Sequence, residues 1–188
     1  MSIFTENLKE HIKLFEELGS LDAPITAATE LIITTLRNCN KLMICGNGGS
    51  AADSQHIAAE FTGRFVKDRE PIAALALSTD TSTITCIGND YSFKEVFSRQ
   101  IKALGHKGDC LLGISTSGNS GNVIQAIKIA NELGISTIGL LGRNGGEIKS
   151  LCNVSIIVPS NITARIQEAH ILIGHTICGS VELGLDLV

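Results

Sequence analysis

The sequence predicts an α/β fold, a five-stranded parallel sheet with helices on both faces in a doubly wound arrangement, preceded by extra N-terminal helices. Three observations carry that expectation. Five short runs are apolar nearly throughout, at 41–45, 72–77, 110–114, 136–141 and 154–158, and a strand apolar on both faces is one covered on both faces. Segments of helical period separate them. Two of the runs lead straight into glycine- and serine-rich turns, Gly46-Asn47-Gly48-Gly49-Ser50 and Ser115-Thr116-Ser117-Gly118-Asn119-Ser120, each followed by a helix. Right-handed crossovers place such turns at the carboxyl ends of parallel strands, where doubly wound folds hold their ligands.

Taken in order, Phe4, Leu8, Ile12, Phe15 and Leu18 fall at helical spacing among charged residues, an amphipathic helix over 4–18. Pro24 suits a first helical turn, and a second helix runs to about Asn38. This extension, 1–38, is surplus to the sheet unit, so its apolar stripes are expected to pack against a neighbouring subunit. The first strand, 41–45, passes through its glycine turn into a helix ending near Gly63. The second strand, 72–77, precedes helical stretches near 80–86 and 92–104. The third, 110–114, passes through the serine turn into a helix over 122–133. The fourth, 136–141, is followed by Gly142, Gly145, Gly146 and a short helix. The fifth ends at Pro159, and a long last helix starts near Asn161 or Thr163 and reaches the 180s. With no linker, repeat or low-complexity tract, the 188 residues read as one domain.

Composition removes several classes. Fifteen Lys+Arg against nineteen Asp+Glu give a net charge of −4, with no Trp and a single Tyr; a nucleic-acid binder needs a basic footprint and stacking aromatics. A hydrophobic share of 44% and a charged share of 18% exclude disorder. Six cysteines, at 39, 45, 86, 110, 152 and 178, form no C-x-x-C pair and sit mostly in apolar runs, the pattern of buried, reduced thiols. The N-terminus lacks the form of a signal peptide, and no apolar run approaches the ~20 residues that span a bilayer. The expectation is a cytoplasmic protein with neither membrane nor nucleic-acid partner.

Four constellations can carry chemistry. Gly46, Gly48 and Ala51 match a dinucleotide fingerprint loosely, but the first acid after the next strand, Asp80, lies too far on, and no Gly-Lys-Ser/Thr follows to make a P-loop. The turn is then either a tight connection or a backbone that a polar substrate can approach. In the second turn Ser115, Thr116, Ser117 and Ser120 add four hydroxyls to a helix N-terminus, a phosphate cradle without Lys or Arg. Simple N-capping would need only one of them. His56, Glu60 and Arg64 recur every four residues along one helix face. They read as a metal chelate or proton-transfer pair, or as an exposed row with a weak Glu60–Arg64 ion pair. Apolar Ile57, Ala58, Ala59 and Phe61 between them suggest a helix with little free surface. Last come Arg165, Gln167, Glu168, His170 and His175 in the final helix. Gln167 and His175 are eight residues apart, about 12 Å along the axis, so both serve one site most readily if subunits share it.

These residues resemble the phosphoheptose isomerases of the sugar isomerase (SIS) superfamily. The matching stretches are Cys45 to Asp53, His56 to Glu60, Thr62-Gly63-Arg64, Ile87-Gly88-Asn89-Asp90, Phe97-Ser98-Arg99-Gln100, Gly113 to Ser120, and Thr163 to Glu168 followed by His170 and His175. The Ser-Thr-Ser-Gly turn marks the superfamily broadly; the His-x-x-x-Glu and Arg-Ile-Gln-Glu pieces are narrower. The resemblance implies an SIS domain that converts D-sedoheptulose 7-phosphate to D-glycero-D-manno-heptose 7-phosphate for lipopolysaccharide or capsule precursors, in homotetramers with shared active sites. It implies one zinc per subunit on His56, Glu60, Gln167 and His175. Substrate contacts would be Asn47, Gly48, Gly49, Ser50, Glu60, Arg64, Asn89, Asp90, Ser115, Thr116, Ser117, Ser120 and Gln167. Ala164 stands where some members carry an acid, whose role is not carried over, and Ser92 stands where Gly is common.

The implied reaction is an aldose–ketose isomerisation through an enediol, with Glu60 and His175 in opposite acid and base roles. Two rivals share the fold. One is a non-catalytic sugar-phosphate sensor or replication-initiator-binding protein, and the other is an isomerase of a different phosphosugar.

Overall fold

A computed structural model describes residues 2–188. Its strands β1 (Leu42–Cys45), β2 (Ala74–Ala76), β3 (Cys110–Ser115), β4 (Ser136–Gly142) and β5 (Val154–Val158) form one parallel sheet in the order β2-β1-β3-β4-β5. The chain steps from β1 outward to β2, then crosses back to β3, so the order reverses between β1 and β3, and ligands bind at such a reversal. In register, Leu42 pairs with Cys110 and Cys45 with Gly113, which brings the turns after β1 and β3 side by side.

Alternation within the strands divides the core. Leu42, Ile44, Leu112, Ile114, Ile138 and Leu140 face a cluster with Ile32 of α2 (Asp22–Arg37), Phe61 of α3 (Gly49–Thr62) and Ile173 of α7 (Thr163–Gly184). Met43, Cys45, Leu111 and Leu141 face the other way, onto Ile87 of α4 (Thr81–Asp90), Ile101 of α5 (Ser98–Leu104) and Ile127 of α6 (Gly121–Glu132). Each such side chain, fully buried, contributes roughly 1.5–3 kcal/mol.

Several expectations shift. The second strand shortens from 72–77 to Ala74–Ala76 because it lies at the sheet edge after Pro71; Ile72 N–H instead donates to the Phe61 carbonyl at 3.0 Å. The first helical stretch after it extends to Asp90, capped by Asp80 accepting from Thr83 N–H at 2.9 Å. The second splits into a single turn at Phe93–Glu95 and α5. Ser92 is extended (φ −164°), a conformation any residue adopts, so the missing glycine has no backbone consequence. Only a single turn, Ile148–Ser150, follows β4. Burial raises the thiol pKa of Cys45, Cys110 and Cys178, but Cys39 and Cys86 are exposed rather than buried.

The N-terminal helices divide in character. Ala28 and Ile32 of α2 are wholly buried by the chain's own sheet and α7, so that stripe needs no neighbour. On α1 (Ile3–Glu17) only Leu14 is buried, while Ile3 and Phe4 are 77% and 73% exposed. Polar contacts hold α1 to α7: Arg165 Nη1 donates to the Asn7 carbonyl at 2.7 Å, and His11 Nδ1 meets Glu168 Oε2 at 2.8 Å.

His170 is part of the frame. Its Nε2 donates to the Leu141 carbonyl at 3.0 Å, and its buried Nδ1 has no partner. Burial pulls its pKa down to about 4, against the upward pull of that hydrogen bond. A base with a depressed folded pKa is neutral in the fold and charged in the acid-unfolded chain, so its contribution is complete above ~6.5 and lost as pH falls toward 4. Urea unfolding between pH 7 and pH 4 should show about 3 kcal/mol of this loss, and His170→Gln should remove that part of the pH dependence.

Candidate active site

Two helix N-termini meet at the reversal point. Gly48, with φ +58°, turns the chain into α3, and Ser50 and Ala51 N–H groups bond back to the Asn47 and Gly48 carbonyls at 3.0 Å each. The amides of Asn47 and Asn122 exchange two hydrogen bonds, at 2.8 and 2.7 Å, tying this turn to the first residues of α6. A Cβ on Gly49 would collide with the Gln167 amide, so the bare α-carbon lets α7 lay that amide on the first turn of α3.

The serine turn is equally constrained. Gly118 has φ +67°, and a Cβ there would run into the Gly145 carbonyl. The loop after β4 clasps it: Ile148 N–H donates to the Gly118 carbonyl and Glu147 N–H to Asn119 Oδ1, both at 3.0 Å. Ser115 and Ser120 hydroxyls lie 2.9 Å apart, and Ser117 Oγ accepts from Asn119 N–H at 3.1 Å. Ser120 takes the N-cap position of α6 without making a side-chain cap bond. The Ser120 hydroxyl is therefore not consumed by capping α6, and the turn sets several hydroxyls beside a helix N-terminus, where the helix dipole favours negative charge. The sequence reading missed one cation here. The Lys94 stem passes 3.8 Å from the Cβ position of Gly121, at the start of α6; its distance along the chain left no signal.

Farther along, α3 and α7 run side by side in the same direction, with Gly49 facing Gln167 and Ile57 facing Gly174. A Cβ on Gly174 would come within 2.7 Å of Ile57 Cδ1, so its absence sets the approach. At this level His56 Nε2 lies 3.1 Å from Glu60 Oε1 and 3.3 Å from His175 Nε2. The three ligand atoms lie within 4.8 Å of one another. Two imidazole nitrogens and a carboxylate oxygen are a donor set that suits zinc. Asp53, one turn before His56, also went unmarked. Burial raises its pKa, opposed by His56, and its buried Oδ2 has no partner. The sequence signals for it are its place at the end of the Cys45 to Asp53 stretch and its spacing of three from His56.

The remaining expected residues are placed elsewhere in the chain. Gln167 is at the glycine turn, about 12 Å along α7 from His175. Asn89 and Asp90 end α4, exposed and bonded to each other at 2.7 Å. Arg64 departs from the expected row: α3 ends at Thr62, Gly63 turns the backbone away, and the guanidinium reaches the Val66 carbonyl at 3.4 Å. Glu60 accordingly pairs with His56 and not with Arg64. Nor is α3 closed off, since Ala52, Gln55, His56 and Ala59 are exposed on the face turned from the sheet.

A SIS domain family model matches residues 4–142. The chain is 51% identical over 181 residues to the phosphoheptose isomerase of Aliarcobacter butzleri, a match covering 96% of each. A phosphoheptose isomerase structure from Neisseria gonorrhoeae superposes with a TM-score of 0.91 at 48% identity, over 96% of this chain and 97% of that one. One from Francisella tularensis gives 0.93 at 35% identity, over 96% of each.

If the serine turn is the anion site, Gly118→Ala should disable it, since a left-handed alanine costs about 1–2 kcal/mol and its methyl meets the Gly145 carbonyl. Calorimetric titration with inorganic phosphate should show at least roughly tenfold weaker binding (about 1.4 kcal/mol). Undiminished binding would remove the turn from the site.

Proposed function

We propose that this chain, which belongs to the phosphoheptose isomerase family of SIS-domain proteins, interconverts D-sedoheptulose 7-phosphate and D-glycero-D-manno-heptose 7-phosphate. The product would feed heptose precursors of bacterial lipopolysaccharide or capsule. One observation carries the chemistry: a carboxylate and two imidazoles from helices far apart in sequence converge within 4.8 Å.

In this reading Ser115, Thr116, Ser117, Ser120 and the N–H groups of α6 hold the phosphate. Asn47, Gly48, Gly49, Ser50 and Gln167 line the approach to the sugar, with Arg64, Asn89 and Asp90 as further contacts. Glu60 and His175 act in opposite roles. As one withdraws the C1 proton of the open-chain ketose, the other protonates the C2 oxygen. The enediol then takes a proton at C2 and loses one from O1, giving the aldose. His56, Glu60 and His175 fit a zinc ion, one per subunit, which when bound would polarise the carbonyl and steady the enediolate charge.

Gln167 can join that ligand set only from a neighbouring subunit, given its distance along α7. The exposed Ile3, Phe4, Leu8 and Ile12 of α1 offer a face for such a neighbour. We therefore place shared active sites in a homotetramer of single SIS domains spanning 1–188, with α1 at the contacts. No helix among the described residues is long and apolar enough to cross a membrane. All six cysteines are unpaired, which suits the reducing cytoplasm. A sugar-phosphate sensor or replication-initiator partner would need the serine turn but not the acid–base cluster, so the cluster favours the enzyme.

Incubation with sedoheptulose 7-phosphate in heavy water should yield the aldose carrying deuterium at C2. Glu60→Gln and His175→Gln should each lower kcat by roughly 10²–10⁴ while the mass in solution stays that of a tetramer. Absence of aldose from the unmodified protein would overturn the assignment, and near-normal turnover in either variant would remove that residue from its role.

A further inference from the structure

The segment joining α3 to β2 has no helix or strand of its own, yet it carries a guanidinium only 2% exposed, that of Arg69. Arg69 Nη2 donates to the Glu60 carbonyl at 2.7 Å, and Nη1 to the Phe61 carbonyl at 2.8 Å and the Gly63 carbonyl at 3.1 Å. These are acceptors that the end of α3 leaves without intrahelical donors. Arg69 Nε donates to Glu182 Oε1, on α7, at 2.8 Å. The same oxygen accepts from Phe65 N–H at 3.1 Å, and the Phe65 ring lies beside the His175 ring with centroids 5.5 Å apart.

Two members of the acid–base cluster are thus held by one ion pair: Glu60 through its own carbonyl, His175 through the ring of Phe65. As a stabilising device the pair is poor. Both side chains are almost wholly buried, Glu182 Oε2 has no partner, and desolvating two charges offsets most of their attraction. Its value is geometric, because a rigid planar fork fixes its acceptors in one plane and orientation, which an ammonium on a flexible stem does not.

We propose that Arg69 and Glu182 are positioning residues for the acid–base cluster, locking the end of α3 to α7 so that Glu60 and His175 face each other. This rests on the isomerase reading above. In Arg69→Lys and Glu182→Ala, kcat should fall roughly 10- to 100-fold, as when a group that orients a site residue is lost. KM should hardly change, since the serine turn belongs to other elements. Glu182→Gln retains an oxygen for Arg69 Nε and Phe65 N–H and should restore most of kcat; a merely structural role would produce neither the split nor the rescue.

A readout without substrate separates this from the isomerase reading. The His175 ring proton resonances should shift in Glu182→Ala as Phe65 leaves, and return in Glu182→Gln. A folded Glu182→Ala protein with unchanged kcat or an unmoved His175 resonance overturns the proposal. Should that variant fail to fold, Arg69→Lys, which keeps the charge, decides by the same two measurements. An unmodified protein inert toward sedoheptulose 7-phosphate, with the His175 signal still shifting in the variant, overturns the substrate assignment alone.

Discussion

The site depends on how closely α7 can lie along α3. Side chains projecting from parallel helices normally hold their axes 8–10 Å apart, and here two close contacts fall at residues without a Cβ. Gly49 admits the Gln167 amide to the first turn of α3, and Gly174 admits the Ile57 side chain two turns on. Between and beyond those contacts the helices present His56, Glu60 and His175 to one another. A side chain at either glycine would have to displace the Gln167 amide or the Ile57 side chain from its place between the helices.

Charge is used sparingly around this contact. The serine turn brings hydroxyls and backbone N–H groups together at the start of α6, where the helix dipole favours negative charge. His170 spans the interface between α7 and β4 as a neutral donor because burial disfavours its charged form. Among the described residues the one deeply buried ion pair, Arg69 with Glu182, ties the end of α3 to α7, where it constrains geometry more than it adds stability.

The strands and their turns were legible because a buried parallel strand must be apolar on both faces, and each turn announces itself by residues suited to unusual backbone or to anion contact. The serine turn is the clearest case: it falls between β3 and α6 as its residues suggested, with Ser120 at the N-cap position making no side-chain cap bond. The edge strand was read too long, since Ile72 packs into the core while its N–H bonds to Phe61 of α3, and Leu77 makes one last bond to Ile44 beyond the strand's end. Arg64 was misplaced because the spacing of four continues past Thr62 while the helix does not; glycine at 63 ends it. Arg69 gave little sign, as it belongs to no motif, and Asp53, though it closes the Cys45 to Asp53 stretch, was given no role; each matters through what the fold places beside it.

What the sequence by itself determined is the alternation of buried strands and helices, the place of both turns, and the chemical types available for proton transfer, since periodicity and residue chemistry are local properties. What only the tertiary structure decided is which of these types meet. His175 joins His56 and Glu60 while Gln167, on the same helix, sits at the opposite end of the groove. That choice depends on the direction and separation of α3 and α7, which are set by packing on the sheet and by two glycines, and not by any neighbour in the chain.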